Sequence, residues 1–180
     1  MVCKGLLVEF GGLPGTGKST LARLLATDTN AVWLRIDEIE GAMRRNGLAP
    51  GQTGIAAYSV AHDVAASHLR RGLTVIADAV NPVAEARDGW RDLAAALGVD
   101  HVVIETVCRD SAEHRRRVEG RVGDLPGWVY PTWAQVHQMM SEYQPRTGDR
   151  LVLDTSRPVD VSYRELTAHL TRRESAPKRD

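Results

Sequence analysis

The sequence predicts an α/β protein built on a mostly parallel sheet, and three observations carry that expectation. Five short apolar runs alternate with amphipathic stretches along the chain, the pattern left by strands that are covered by helices on both faces. Residues Gly12 to Ser19 read GLPGTGKS between an apolar run and a helical stretch, the strand-to-helix setting of a phosphate-binding loop. The 180 residues, with 43% hydrophobic side chains, 26% charged side chains and zero formal net charge, suit one domain with one substantial core.

Taken in order, the strands are expected at 5–10 (GLLVEF), 32–36 (VWLRI), 73–78 (LTVIAD), 101–107 (HVVIETV) and 150–154 (RLVLD). Their apolar cores are too short for buried helices and bounded by breakers. Helices are expected at 18–28, 38–46, 54–71, 83–97, 110–122, 132–142 and 160–173. In the third, Ile55, Tyr58, His62, Ala65, Ala66 and Leu69 recur at helical spacing, and Arg70 and Arg71 suit the negative end of the helix dipole before Gly72 stops it. Breakers cluster in NGLAPGQTG at 46–54 and in GDLPGWVYP at 123–131, so both are expected to be loops long enough to move. With no repeat, low-complexity linker or shift in composition, residues 1–173 read as a single domain, and 174–180 as a frayed tail.

Composition excludes several classes of function. No apolar run approaches the roughly 18 residues of a membrane span, and the N-terminal apolar segment is too short for a signal peptide, so a cytoplasmic protein is expected. Balanced charge argues against broad attraction to duplex nucleic acid or anionic membrane. Cys3 and Cys108 lie in or beside apolar strand-like runs without metal-ligand spacing and are expected to be packing residues. The six histidines lack paired metal spacing, so no zinc site is expected.

The glycine-rich turn is the most specific feature. GLPGTGKS satisfies G-x-x-x-x-G-K-[ST] at Gly12, Gly17, Lys18 and Ser19. Glycines there permit tight turns with open backbone NH groups, and the following helix N-terminus adds positive potential. Gly12, Leu13, Pro14, Gly15, Thr16, Gly17, Lys18, Ser19 and Thr20 are therefore expected around a nucleoside triphosphate. Lys18 reaches its β- and γ-phosphates, and Ser19 offers a hydroxyl to magnesium. Two carboxylates end strands in the same direction: Asp37 in RIDEIEGAMRR and Asp78 in LTVIADAVN. Ligands of parallel sheets bind beyond those strand ends, so both are expected in the crevice with the loop. Asp37 could accept a hydroxyl's proton there, or simply cap a helix. Asp78 could hold magnesium or orient an acceptor, with the Asn81 amide nearby, or close an Asx turn before Pro82.

Together these motifs resemble the P-loop kinases of small molecules and nucleic acids: chloramphenicol phosphotransferase, gluconate kinase, adenylylsulfate kinase and the polynucleotide kinase domain. The resemblance covers about residues 4–158 in order of motifs, although only the phosphate loop is individually specific. It implies a three-layer, nucleoside-monophosphate-kinase-like fold with a five-stranded parallel sheet, ATP and Mg2+ as cofactors, and a helical lid around 115–142. It also implies that Asp37 activates the acceptor hydroxyl. Polynucleotide kinases place an Arg three residues after that Asp, where this chain has Glu40; a carboxylate there repels a phosphorylated acceptor.

In HRRRVEGR, Arg117 and Arg121 are four apart and expected on one helical face. The resemblance gives them to the nucleotide's phosphates, with Arg115 behind them; a solvated charged face with Glu113 and Glu119 is the plain alternative. Trp128, Tyr130 and Trp133 stand beside Pro and Gly hinges, where they could close over an acceptor or merely pack. The resemblance also implies that the loop LDTSRP at 153–158 lies by the nucleotide base, bringing Thr155 to Pro158, with Thr155 and Arg157 foremost, into contact with it; an ordinary polar turn is the plain alternative. The expected activity is ATP-dependent phosphoryl transfer to a hydroxyl of a metabolite or antibiotic-like compound. A nucleic-acid or nucleotide kinase, using Arg44, Arg45 and the lid arginines as a local phosphate groove, stays open as an alternative, as does an ATP-binding switch without a dedicated acceptor. Acceptor identity, ATP against GTP, and oligomeric state are not encoded in any motif.

Overall fold

A computed structural model describes residues 5–175. Five parallel strands, β1 (Leu6–Gly11), β2 (Val32–Arg35), β3 (Val75–Asp78), β4 (Asp100–Val107) and β5 (Leu151–Asp154), form one sheet in the order β2-β3-β1-β4-β5. Strand β1 is central, so its C-terminal end opens where β3 and β4 diverge on either side, the place where parallel sheets bind ligands. Alternation along β1 fills both faces. Leu7 joins Val75, Ala77, Trp90 and the alanines of one helix, while Val8 and Phe10 join Leu21, Leu25, Ile104, Leu153 and Leu166 on the other side.

The helices are α1 (Lys18–Thr29), α2 (Ile36–Arg45), α3 (Pro50–Leu69), α4 (Ala84–Leu97), α5 (Ser111–Glu119), α6 (Trp133–Glu142) and α7 (Val159–Ser175). Helix α3 covers one face with α4, and α1 and α7 cover the other. This is the three-layer α/β arrangement with the five-stranded parallel sheet that the sequence implied.

Several boundaries and faces differ from expectation for identifiable reasons. Helix α3 starts at Pro50, inside the segment expected to be a mobile loop. Proline suits a first helical turn, and the Gln52 side chain accepts from the Ala49 NH at 3.2 Å. Its inward stripe is Thr53, Ala57, Ala61, Ala65 and Leu69, whereas Ile55 is 84% exposed. Small side chains let this helix lie close on the sheet, so alanines make up most of the inward stripe and Leu69 closes it, while Ile55 points outward. Helix α5 ends at Glu119, with Gly120 as its cap, which leaves Arg121 beyond the helix rather than on one face with Arg117.

Helix α7 continues to Ser175, past the start of the expected tail; the rest of that tail and Cys3 lie outside the described residues. Cys108 follows β4 and is half-buried, not a core packing residue. Among the described residues, no helix is long and apolar enough to cross a membrane, and no three His, Cys, Asp or Glu side chains gather as a metal cluster.

The return from α6 to β5 is anchored by buried polar side chains. The Arg87 guanidinium donates to the carbonyls of Asn81 (2.8 Å), Gln144 (2.6 Å) and Pro145 (3.2 Å). Glu9, fully buried on β1, accepts from Arg146 at 2.7 Å and lies 3.0 Å from His101 Nε2. Buried polar groups of this kind are tolerated because each has partners.

Candidate active site

The segment after β1 is shaped by its glycines. Gly12 has φ +132° and a Cβ there would fall 2.3 Å from the Thr106 carbonyl oxygen; at Gly15, with φ +83°, it would fall 2.5 Å from Val118. Both positions therefore need glycine for conformation and for space. The loop is also held from below. The Thr16 hydroxyl bonds the Leu13 carbonyl at 2.7 Å and the Thr106 hydroxyl at 2.8 Å, while the Thr155 hydroxyl donates to the Thr16 carbonyl at 2.9 Å. His114 Nε2 donates to the Pro14 carbonyl at 2.8 Å. Thr106 and His114 are supports that the sequence reading did not pick out, since neither belongs to a motif.

The loop borders a cleft of about 1110 Å³. Single small-molecule sites run to roughly 300–1,000 Å³, so this one has room for a nucleotide and a second ligand. Pro14, Gly15, Gly17, Lys18, Ser19 and Thr20 line it, together with Arg117, Arg121, Thr155 and Arg157. Gly12, Leu13 and Thr16 lie behind that surface, contributing backbone shape and support rather than lining.

Lys18 is buried, and its ammonium donates to the Leu13 carbonyl at 3.0 Å. Burial pushes its pKa down, opposed by the nearby carboxylates of Asp78 and Asp37. Asp78, at the end of β3, is also buried. Desolvation raises its pKa, while Lys18 and a hydrogen bond from the Ser19 hydroxyl act in the opposite direction. Asp78 Oδ2 has no hydrogen-bond partner. The open Asp78 carboxylate oxygen and the Ser19 hydroxyl are oxygen ligands of the kind a hard divalent cation takes, while the Lys18 ammonium suits anionic phosphate instead.

The sign of the Asp78 shift yields a test. A carboxyl with raised pKa stabilises the fold only while protonated, and that contribution is lost as pH rises through its elevated value. Near neutral pH the ionised group is a liability without a cation. Asp78→Asn is accordingly expected to leave the ligand-free protein at least as stable at pH 7, yet to abolish any rise in Tm on adding Mg2+ with nucleotide, as read by thermal melts. A loss of several degrees in the ligand-free melt would contradict this reading.

Asp37 lies in the first turn of α2 and lines the same cleft. The N-cap position belongs to Arg35, so Asp37 is not the capping residue. Glu40, one turn further along, also lines the cleft; its Oε1 accepts from Arg44 at 2.5 Å and from the Thr53 hydroxyl at 2.7 Å.

Asn81 departs from expectation. It is fully buried in a left-handed conformation (φ 51°), and its amide donates to Glu9 at 2.9 Å and to the Phe10 carbonyl at 3.2 Å. That inward pairing takes it away from the cleft lining and makes it a support beneath the loop.

Arg117 and Arg121 reach the cleft by different routes. The Arg117 guanidinium donates to the Thr155 carbonyl at 2.7 Å, with its Nε on Glu113 at 2.7 Å. Arg121, in the loop, lies 3.9 Å from the centre of the Tyr130 ring. Arg115 turns outward to Glu119 at 2.9 Å and is not part of the cleft surface. Arg157 pairs with Glu165 at 2.6 Å. Trp128 and Tyr130 line the cleft, but Trp133 packs edge-on against His114 at 5.2 Å, beneath the loop and not over an acceptor. Arg35 and Asp124 are cleft residues missed in sequence. Arg35's position at the strand end next to Asp37 was the available signal.

The chain matches the AAA domain family over residues 7–146. It is 26% identical over 165 residues to a probable adenylyl-sulfate kinase of Aeropyrum pernix, covering 84% of each chain. Its fold is similar to that of the Mycobacterium tuberculosis APS kinase CysC in complex with AMPPNP and APS, with TM-score 0.68, 22% identity, and 93% and 98% of the two chains covered. It is similar as well to a gluconokinase from Sinorhizobium meliloti, with TM-score 0.69, 16% identity, and 96% and 94% covered.

Proposed function

We propose, from the premise that this chain belongs to the AAA domain family, that it is an ATP-dependent kinase carrying the γ-phosphoryl group of ATP to a hydroxyl of a small molecule. The observation that carries this reading is the convergence of Lys18, Ser19 and Asp37 on one cleft, with Asp78 buried behind that lining, hydrogen-bonded to Ser19 and close to Lys18. Lys18 and the backbone NH groups of residues 13–20 hold the phosphates. Ser19 and Asp78 fit Mg2+, which when bound supplies charge neutralisation on the β- and γ-phosphates. Asp37 orients the acceptor hydroxyl and takes its proton as transfer proceeds. Arg117 and Arg121 place positive charge over the transferring group, with Thr155 and Arg157 towards the base. Residues 115–142 act as a lid on one domain, and with ATP as donor the cytoplasm is its compartment.

The acceptor end differs in charge from the donor end. Lys18 and Arg121 add positive charge at the donor end, whereas at the acceptor end Glu40 and Arg44 offset one another and Asp37 adds a carboxylate. An uncharged or amine-bearing hydroxyl compound is thus favoured over an anionic one. Arg44 is held by Glu40 and Arg45 donates to the Pro126 carbonyl at 2.9 Å, so both of these arginines already hold other groups.

ADP release measured over neutral polyols, amino sugars, gluconate, adenylyl sulfate, nucleosides and 5′-hydroxyl oligonucleotides tests this. Turnover is expected with neutral or amine-bearing compounds, and exclusive labelling of oligonucleotides or adenylyl sulfate would reverse the reading. Glu40→Gln, which leaves the Arg44 charge unopposed, is expected to raise use of anionic acceptors relative to neutral ones by about tenfold, the effect of roughly 1.4 kcal/mol of partly screened attraction.

A further inference from the structure

The lid is tied to the acceptor strand by an ion pair that no motif announces. Arg35, the last residue of β2 and 3% exposed, makes two bonds to Asp124 of the 120–132 loop, at 2.5 and 3.2 Å. Asp124 in turn accepts from the Tyr130 hydroxyl at 2.5 Å, and the backbone NH of Leu125 donates to that same hydroxyl at 3.1 Å. The Tyr130 ring carries the Arg121 guanidinium on its face at 3.9 Å. A continuous chain of contacts therefore runs from the strand that ends two residues before Asp37 to the arginine at the donor phosphates. A fork-shaped bidentate pair fixes orientation as well as distance, so it sets the loop in one pose. Two further contacts seat the loop on α2: Arg44 stacks on Trp128 at 4.7 Å and Arg45 bonds Pro126.

We propose that Arg35 is a positioning residue: through Asp124 and Tyr130 it sets the lid over α2 and aligns Arg121 with the group that Asp37 activates. The pair thereby couples closure of the lid to the acceptor side and keeps water from competing as phosphoryl acceptor. This rests on the phosphotransferase reading, but its structural half can be read without any acceptor.

Three measurements on the full chain test it. Arg35→Gln and Asp124→Asn are each expected to lower the transfer rate at least tenfold, to raise ATP hydrolysis relative to transfer, and to hasten tryptic cleavage after Arg121. The double variant should be no worse than the more damaged single, because one interaction is lost in all three. Arg35→Lys, which keeps charge but not the fork, should recover part of the transfer. Asp124 is more than half exposed, so its variant folds even if Arg35→Gln does not. Tyr130→Phe, which keeps the ring under Arg121, should move the hydrolysis ratio the same way by less. Losses that add in the double variant, or an unchanged hydrolysis ratio and cleavage rate, would overturn the proposal. Absence of transfer by the unaltered protein, with cleavage still responding to the variants, would remove the kinase reading and leave the latch.

Discussion

Asp37→Asn is expected to lower phosphoryl transfer by about 10²–10⁴-fold, the usual contribution of a positioned general base, while ATP affinity stays within a few-fold. The amide is nearly isosteric with the carboxylate, and Asp37 is not the N-cap of α2, so the helix keeps its start. What is lost is a site that can take the hydroxyl's proton. Steady-state kinetics alongside calorimetric titration with a non-hydrolysable ATP analogue separates the two quantities. This variant also decides between an enzyme and a nucleotide-driven switch: a switch would keep its nucleotide response and have no transfer to lose. Transfer at the unaltered rate would take the base role away from Asp37.

Lys18→Ala is expected to do wider damage. Truncation removes the cation at the donor phosphates, and losing one preorganised electrostatic contact of this type lowers turnover by about 10²–10³-fold. ATP binding falls with it, because the charge-assisted bonds to phosphate go too. The ammonium also faces two carboxylates, Asp78 and Asp37, and its loss leaves buried Asp78 with less opposing charge. A drop in kcat together with weaker nucleotide binding is therefore the signature, in contrast to Asp37→Asn. Equal ATP affinity in the two variants would mean that Lys18 does not touch the triphosphate.

Much of this arrangement was legible in the linear sequence. Every strand lies within two residues of its expected bounds, because β-branched apolar runs flanked by Gly and polar residues leave few other conformations. The phosphate loop was equally plain, since Gly12, Gly15 and Gly17 occupy backbone conformations with positive φ and the pattern records that demand. Asp37 and Asp78 followed from the rule that ligands sit beyond strand ends.

The departures share one cause: a local pattern names an element or a neighbouring residue but not which distant segments come near it. Ile55 fitted the repeat of α3, yet close packing on the sheet selected the alanine stripe. Arg121 fitted a helical face with Arg117, but the chain left α5 at Gly120 and reached the cleft through the loop instead. Asn81 stood beside a catalytic-looking carboxylate and turned inward to Glu9, seventy-two positions away in the chain.

The sequence alone thus determined the layered α/β architecture, the conformation of the glycine-rich loop and the placing of Asp37 on the same cleft, since each rests on local backbone conformation or on the direction of a parallel strand. Only the tertiary structure decided which side chains support the loop, that Glu40 is bonded to Arg44 and Thr53, and that Arg35 pairs with Asp124 of the 120–132 loop. Those pairings span up to 139 positions of chain, and a contact between distant segments is chosen by packing geometry and charge, which no local pattern of residues records.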